Sequence, residues 1–170
     1  MAALPATVAS PPSLFPKLCA TRAEALVRAA ALPRPRVFTN GVFDLLHRGH
    51  VECLQQARAL GGSLIVGLNS DASVRGLHKG PERPLNPEAD RACVLAALEC
   101  VSLVVLFEEG TPLALLEALR PEVYVKGGDY DVQRLPEAAL MAGWGGRALA
   151  LPYLAGRSTT GLVQRMRTAP

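Results

Sequence analysis

Two of the three histidines in the chain, His47 and His50, lie three residues apart with Gly49 between them, in the segment TNGVFDLLHRGHVECL. Imidazoles at this spacing could ligate a metal ion, or they could donate hydrogen bonds to phosphate oxygens and stabilise negative charge that builds up there. They could also be satisfied polar residues at a helix start, with no chemical role. The choice among these alternatives depends on the elements that hold the two rings.

The metal alternative requires a third ligand, and His78 is the candidate for a three-histidine zinc site. However, the spacing is not HExxH, this third histidine would come from a glycine-rich loop, and no carboxylate partner is evident nearby in the sequence. The cysteines (Cys19, Cys53, Cys93 and Cys100) show no CxxC spacing, so a thiolate zinc site is not indicated. We therefore predict no metal-binding residues and interpret the cysteines as reduced core thiols.

Strand and helix patterns alternate along the chain. Apolar runs predict strands at 36–39, 64–68, 101–107, 123–126 and 148–151. Helices are predicted at 51–60, at 87–98, from a cap at Thr111 followed by Pro112, at 135–142 and after Ser158. Strands that are apolar on both faces and separated by helices are typical of a parallel sheet covered on both sides. The sequence therefore predicts an α/β fold with a single doubly wound, Rossmann-like parallel sheet of about five strands.

Residues 1–35 are predicted to form a leader and one helix ahead of this domain. The first twenty residues contain four prolines and no acidic residue, which favours a frayed leader over a secretory or targeting segment. Thr21 and Glu24 have the spacing of a capping box and open an alanine-rich helix that Pro33 and Pro35 end. The domain itself is predicted to span residues 36–168.

Polar and glycine residues accumulate after the predicted strands, where ligands of doubly wound folds bind. The histidine pair follows the first strand and precedes a helix, where unpaired N–H groups and the helix dipole favour an anion. Gly49 permits a close approach of backbone and ligand. The segment 71–86 carries Arg75, His78, Lys79 and Arg83 among glycines, which favours a lid over an anionic substrate rather than a solvated loop.

Composition and missing motifs exclude several classes of protein. The formal net charge is +3 and the basic residues are scattered, so a nucleic-acid-binding surface is not indicated. No apolar run reaches the roughly 18 residues of a membrane span. The chain has no Walker A or GxSxG motif, and its GxGxxA match at 143–148 precedes a strand instead of following one. These patterns favour a cytoplasmic protein that acts on small anionic molecules, without nucleic acid or membrane.

The segment FDLLHRGH resembles the HxGH signature of the nucleotidyltransferase superfamily. Five blocks are similar, in order, to the D-glycero-β-D-manno-heptose 1-phosphate adenylyltransferase family: TNGVFDLLHRGHVECL, VGLNSDASV, RPLNPEADR, VYVKGGDY and GRSTTGLV. The resemblance implies a nucleotidyltransferase domain in its stand-alone form, without the sugar kinase often fused to it. It also implies transfer of AMP from ATP, with Mg²⁺, to the heptose 1-phosphate. The products would be pyrophosphate and ADP-heptose, for lipopolysaccharide or surface-glycan synthesis.

The resemblance also implies roles for individual residues. His47, His50 and Lys79 would be catalytic, through phosphate binding and charge stabilisation. Residues expected to bind the nucleotide, its phosphates or the sugar are Thr39, Asn40, Gly41, Phe43, Asp44, Gly49, Arg83, Arg91, Lys126, Gly127, Gly128, Asp129, Ser158, Thr159 and Thr160. Among them, Arg91 would buttress the phosphates and Asp44 would accept hydrogen bonds from ligand hydroxyls. The expected partners are small-molecule substrates, and this fold often pairs as a homodimer.

The chain departs from the family pattern at several positions. Val42 stands where cysteine is common, Ser102 where aspartate is common, and Arg157 where isoleucine is usual. Tyr153 stands where related cytidylyltransferases often carry arginine, which disfavours cytidine. Two alternatives stay open: another HxGH nucleotidyltransferase, such as one like glycerol-3-phosphate cytidylyltransferase, and a non-catalytic nucleotide-binding module.

Overall fold

The computed structural model of the protein describes residues 16–19, 21–77, 80, 82–152 and 159–168. The strands of this part of the chain form one parallel sheet, and they are β1 (Leu18–Cys19), β2 (Arg36–Gly41), β3 (Ser63–Asn69), β4 (Leu103–Phe107), β5 (Val123–Gly127) and β6 (Arg147–Leu151). Their order in the sheet is β1-β4-β3-β2-β5-β6. The chain passes from β2 to β3 and β4 on one side and returns to β5 and β6 on the other. The strand order therefore reverses beside β2, which is where doubly wound folds bind ligands.

The helices of the described chain connect these strands. They are α1 (Arg22–Ala30), α2 (Arg48–Arg58), α3 (Asp71–Gly76), α4 (Glu88–Ala97), α5 (Leu113–Leu119), α6 (Pro136–Ala142) and α7 (Thr159–Thr168), with a short 3₁₀ helix at Val132–Arg134. The predicted cap of α1 is confirmed, because the side chain of Thr21 accepts a hydrogen bond from the backbone N–H of Glu24. No helix in the described part of the chain is both long and apolar enough to cross a membrane.

Both faces of the sheet are buried, as the apolar strands predict. Phe38, Ile65 and Tyr124 belong to an apolar cluster on the face that α1, α5 and α6 cover. Residues one position away on the same strands, such as Val37 and Val66, belong to a second cluster with α2 and α4. Successive side chains of a strand point to opposite faces, so two covering layers make near-continuous apolar strands. The doubly wound α/β fold is thus confirmed, with six strands instead of about five.

The extra strand comes from the region predicted to be a leader. Leu18 and Cys19 pair with Val104 and Val105 of β4 at the edge of the sheet, and α1 buries Ala25 in the core. Two residues are too short to show the alternation or length by which a strand is predicted. The end of the predicted leader and α1 are therefore integral to the domain.

The structure differs from the sequence prediction at two further places, a predicted loop and a predicted helix cap. The predicted long loop at 71–86 begins instead with α3, whose first turn is capped by the hydroxyl of Ser70, and Arg75 lies in its last turn. At α5, the N-cap residue is Pro112 and no side chain caps the helix, so the predicted cap by Thr111 is wrong. Proline lacks a backbone N–H and fits an uncapped helix start as well as the first helical position.

Candidate active site

A cleft of about 650 Å³ lies at the carboxyl ends of β2, β3 and β5, beside the point where the strand order reverses. Its walls come from the β2–α2 loop, α3, the loop before α5, and the residues that follow β5. It is lined by Thr39, Asn40, Gly41, Val42, Phe43, Asp44, His47, His50, Cys53, Leu54, Asn69, Val74, Leu77, Arg83, Gly110, Thr111, Pro112, Lys126, Gly127, Tyr130, Glu137 and Thr159. Many of the residues predicted to bind substrate therefore lie around one space.

The two histidines form a stacked pair at the start of α2. Their ring centroids are 3.9 Å apart with an angle of 20° between the planes. His47 is the N-cap residue in extended conformation, but no side chain caps the helix. The first amide groups of α2 are therefore left for water or a ligand, and the helix dipole makes this end attractive to an anion. The alternatives for the two histidines were a metal site, a phosphate-binding site and a purely structural role. This arrangement favours the phosphate-binding site.

Phe43 supports the histidine pair through an unusual backbone conformation. Its φ of 48° lies in the left-handed region, which non-glycine residues rarely adopt. The turn directs its ring against the edge of His50, with centroids 5.3 Å apart. A Cβ at Gly41 would come within 3.0 Å of the Phe43 ring, so the glycine leaves room for this packing. Gly49 is buried in the first turn of α2, between the two histidines.

His50 is held in its neutral form. Burial, and next the neighbouring His47, lower the pKa of its imidazole to about 4, although the backbone of Leu45 acts in the opposite direction. The Nδ1 atom of His50 is buried and makes no hydrogen bond of normal geometry to a described residue. A neutral imidazole keeps one N–H to donate to a phosphate oxygen and adds no charge that must be desolvated.

We expect the free energy of unfolding to decrease as the pH falls from about 6.5 to about 4. The unfolded chain has an ordinary histidine pKa of about 6.5, whereas the folded pKa of His50 is about 4, so the unfolded state binds more protons within this window. Urea unfolding of the wild type and of His50→Gln at several pH values measures the contribution of His50 to this pH dependence. The glutamine variant lacks that contribution, because glutamine does not titrate. A stability difference between the two proteins that stays constant from pH 7 to pH 4 would contradict the assignment.

Asp44 and Arg83, which both line the cleft, form an ion pair with each other. The Arg83 guanidinium donates to Oδ2 of Asp44 at 2.6 Å, and the backbone N–H groups of Leu85 and Asn86 donate to Oδ1 at 2.8 and 2.9 Å. Burial alone would raise the pKa of Asp44, but the hydrogen bonds from Asn86, Arg83 and Leu85 outweigh it and lower the pKa. The carboxylate predicted to accept ligand hydroxyls therefore anchors the segment before α4.

Arg91 connects several segments that surround the cleft. Its side chain is fully buried, and its guanidinium donates to the backbone carbonyls of Asn86, Val42 and Asn69 and to the carboxylate of Asp71. These partners lie on the loop after β2, at the end of β3, at the start of α3 and before α4. Because nearly all its N–H groups are used inside the protein, Arg91 holds these segments together. Its support of the phosphates stays a prediction.

The far wall of the cleft is a polar group on β5 and α6. Glu137 is 4% exposed, and its Oε1 lies 3.4 Å from Lys126 Nζ and 3.4 Å from the hydroxyl of Tyr124. Lys126 Nζ also lies 5.5 Å from the centre of the Tyr130 ring. Burial, and next the carboxylate of Glu137, raise the pKa of Tyr124 far above its usual range, so the phenol stays protonated. Lys126 is therefore held at the cleft by a buried counter-charge.

The other predicted site residues are distributed as follows. Thr39 is buried in the cleft floor and donates its hydroxyl to the carbonyl of Val125 at 2.9 Å, and Thr159 lines the cleft at the start of α7. Gly127 lines the cleft, whereas Gly128 and Asp129 follow it in the turn and do not, and the backbone N–H of Gly128 donates to the carbonyl of Leu151. His78, Lys79, Tyr153, Arg157, Ser158 and the side chain of Thr160 lie outside the described residues.

Several lining residues were not predicted from the sequence. Glu137 and Tyr130 carry polar groups, but they lie in or near a helix without a recognisable motif. Asn69 ends β3 and Thr111 comes shortly after β4, so their position at the end of a strand was the available sequence signal. Among the described residues, no group of three histidine, cysteine or carboxylate side chains could hold a metal ion. The third histidine of the zinc alternative, His78, is outside the described chain. Ser102 does not line the cleft, and its hydroxyl accepts a hydrogen bond from the backbone N–H of Leu64.

Three kinds of comparison relate this chain to known proteins. The cytidylyltransferase-like family profile matches residues 38–161. A D-β-D-heptose 1-phosphate adenylyltransferase from Bordetella bronchiseptica is 58% identical over 149 residues, which cover 86% of this chain and 92% of that protein. The bifunctional protein HldE of Geotalea uraniireducens is 56% identical over 132 residues, which cover 78% of this chain but only 27% of HldE. Among solved structures, a lipopolysaccharide core biosynthesis protein from Thermoplasma volcanium superposes with a TM-score of 0.59 at 25% identity, covering 70% of this chain and 95% of that one.

Proposed function

The chain belongs to the cytidylyltransferase-like family. We propose that it is an adenylyltransferase that transfers AMP from ATP to D-glycero-β-D-manno-heptose 1-phosphate. The products are ADP-heptose and pyrophosphate. The relative from B. bronchiseptica, similar over most of both chains, supports the choice of nucleotide and acceptor. The observation that carries the proposal is the stacked pair His47–His50 at an uncapped helix start inside the cleft.

The proposed reaction needs no side-chain nucleophile. A phosphate oxygen of the sugar phosphate attacks the α-phosphorus of ATP, a new P–O bond forms, and the bond between the α-phosphorus and the bridging oxygen breaks to release pyrophosphate. The attacking oxygen is already an anion, so catalysis consists of positioning the phosphates and stabilising charge as it shifts. This explains why the cleft contains hydrogen-bond donors and cations and why a serine or cysteine nucleophile is not required.

The histidine pair is proposed to act on the triphosphate. His50, kept neutral by burial, donates its N–H to an oxygen whose negative charge grows as pyrophosphate leaves, and His47 and the first amides of α2 bind beside it. Lys126 supplies a positive charge on the opposite wall, held there by Glu137. Lys79, Ser158, Thr159 and Thr160 stay proposed contacts of the β- and γ-phosphates.

Magnesium is proposed to enter with ATP as part of the substrate, because phosphate oxygens are the hard ligands that this cation prefers. The product would serve the synthesis of lipopolysaccharide or another surface glycan, and we place the reaction in the cytoplasm, where ATP is available. Homodimer formation stays a prediction.

The proposal is tested by measuring pyrophosphate release with a panel of substrates. ATP and CTP are each combined with the α and β anomers of the heptose 1-phosphate and with glycerol 3-phosphate. We expect release with ATP and the β anomer at a rate at least about a hundredfold above every other pair, since a mismatched acceptor leaves polar groups of the cleft unpaired. Faster release with CTP or with glycerol phosphate would replace this substrate assignment, and ATP binding without release from any pair would indicate a non-catalytic module.

A further inference from the structure

Tyr124 is a buried residue of β5 whose hydroxyl contacts two residues that line the cleft, Asn40 and Glu137. Its side chain is fully buried, and its ring stacks on Phe38 with centroids 6.2 Å apart. Phe38 and Tyr124 are Cα partners in the β2–β5 register. Asn40 is two residues beyond Phe38 on β2 and therefore points to the same face of the sheet. The phenol of Tyr124 extends along this face and reaches the side chain of Asn40.

The hydroxyl of Tyr124 has one proton and two neighbouring acceptors. Oδ1 of Asn40 lies 2.9 Å from it and Oε1 of Glu137 lies 3.4 Å from it. The same Oε1 atom is also 3.4 Å from the ammonium of Lys126. A distance of 2.9 Å is normal for a hydrogen bond, whereas 3.4 Å is at its outer limit. The shorter contact makes Asn40 the main acceptor of this proton, and Glu137 is a weaker second acceptor that also pairs with Lys126.

This hydrogen bond decides which end of the Asn40 amide faces the cleft. An asparagine side chain presents either a carbonyl acceptor or an NH₂ donor, and its neighbours decide between them. Because Oδ1 accepts from Tyr124, the NH₂ group is left for the cleft that Asn40 lines, and no described residue accepts from it. A donor at this position matches phosphate oxygens, whereas an exposed carbonyl would repel them.

We propose that Tyr124 is a positioning residue, which fixes the amide of Asn40 so that its NH₂ group donates to a phosphate oxygen of bound ATP. The inference rests on the proposed function for the identity of the ligand, and it extends the site to a buried residue that does not line the cleft. Without the phenol, the amide can rotate and present its oxygen to the phosphates. The residue would act only through Asn40.

The test is a double-mutant cycle of Tyr124→Phe and Asn40→Ala, with ATP affinity measured by calorimetry and kcat/KM by pyrophosphate release. Phenylalanine keeps the ring on Phe38 and removes only the hydroxyl. We expect each single variant to lose about tenfold in ATP affinity and in kcat/KM, as for one lost hydrogen bond to a charged group. If Tyr124 acts through Asn40, the double variant loses about tenfold as well. A product of the two losses, about a hundredfold, would overturn the inference.

A matched control separates positioning from general weakening of β5. Trp144 lies after α6 and donates its indole N–H to the carbonyl of Pro121, at the opposite end of β5, at 2.9 Å. Trp144→Phe is expected to lower the melting temperature but not the ATP affinity. If it weakens ATP binding as much as Tyr124→Phe does, the inference fails.

The outcomes of the experiment separate the two proposals. If the wild type binds ATP and the two substitutions are coupled, but no pyrophosphate is released, the adenylyltransferase proposal alone is refuted. If the wild type is active and the effects of the two substitutions are additive, the positioning role alone is refuted. A wild type that does not bind ATP would refute both.

Discussion

Replacing His50 by alanine is expected to lower kcat for pyrophosphate release from ATP and heptose 1-phosphate about a hundredfold to a thousandfold. The imidazole lies in the cleft, stacked 3.9 Å from His47, and burial keeps it neutral with one N–H to donate. Such a donor stabilises charge that is greatest in the transition state, so kcat should fall more than the affinity for ATP. Steady-state kinetics of the purified variant, with its melting temperature measured in parallel, gives both quantities.

Two variants serve as controls for this result. His50→Gln retains an N–H donor of similar reach and should recover part of the lost rate. Arg48→Ala changes the neighbouring residue at the same end of α2, but its guanidinium pairs with Glu52 on the exposed surface, so its kcat should stay within about twofold of the wild type. Wild-type kcat in a folded His50→Ala protein would refute the role assigned to this histidine.

Replacing Arg91 by alanine is expected to lower the free energy of unfolding by about 3–5 kcal/mol, the usual cost of removing one partner of a buried ion pair. The guanidinium is fully buried and serves three carbonyl groups and the carboxylate of Asp71. Its loss leaves these acceptors without partners and frees the ends of β2 and β3 that shape the cleft. Urea unfolding followed by circular dichroism measures the difference.

An exposed arginine provides the comparison for this prediction. Arg22 pairs with Glu109 at 2.5 Å, but its side chain is 42% exposed, and Arg22→Ala should cost no more than about 1 kcal/mol. Arg91→Lys should stay close to the alanine variant, since one ammonium group cannot reach four acceptors on separate segments. A loss below about 1 kcal/mol in Arg91→Ala would contradict the structural role derived for this residue.

The fold could be predicted from the sequence because its strands are long and apolar on both faces. Five of the six strands lie where apolar runs predict them, and the predicted helices between them follow from prolines and apolar spacing. The strand at Leu18–Cys19 could not be found this way, because its two residues pair only through β4, which is more than eighty positions away in the chain. Likewise, α3 is too short to show the period of a helix. The sequence signal available for its start was the N-cap residue Ser70.

The site could be predicted only in part, since sequence position indicates which residues approach the cleft but not which bonds they make. His47 and His50 follow a strand, Lys126 lies near the end of one, and all three line the cleft. Arg91 has the positive charge expected of a phosphate ligand. However, its side chain points into the protein, where it donates hydrogen bonds to four protein acceptors. Glu137 could not be predicted, because a lone carboxylate on a short helix gives no pattern until the fold places it beside Lys126.

The position of the bound nucleotide is the decisive test of a triphosphate site at the start of α2. A crystal structure of the protein with magnesium and an ATP analogue that cannot be cleaved at the α-phosphorus would show where the triphosphate binds. We expect phosphate oxygens within hydrogen-bond distance, about 3 Å, of a ring nitrogen of His47 or His50 and of an amide in the first turn of α2. A triphosphate bound away from both imidazoles would contradict this expectation.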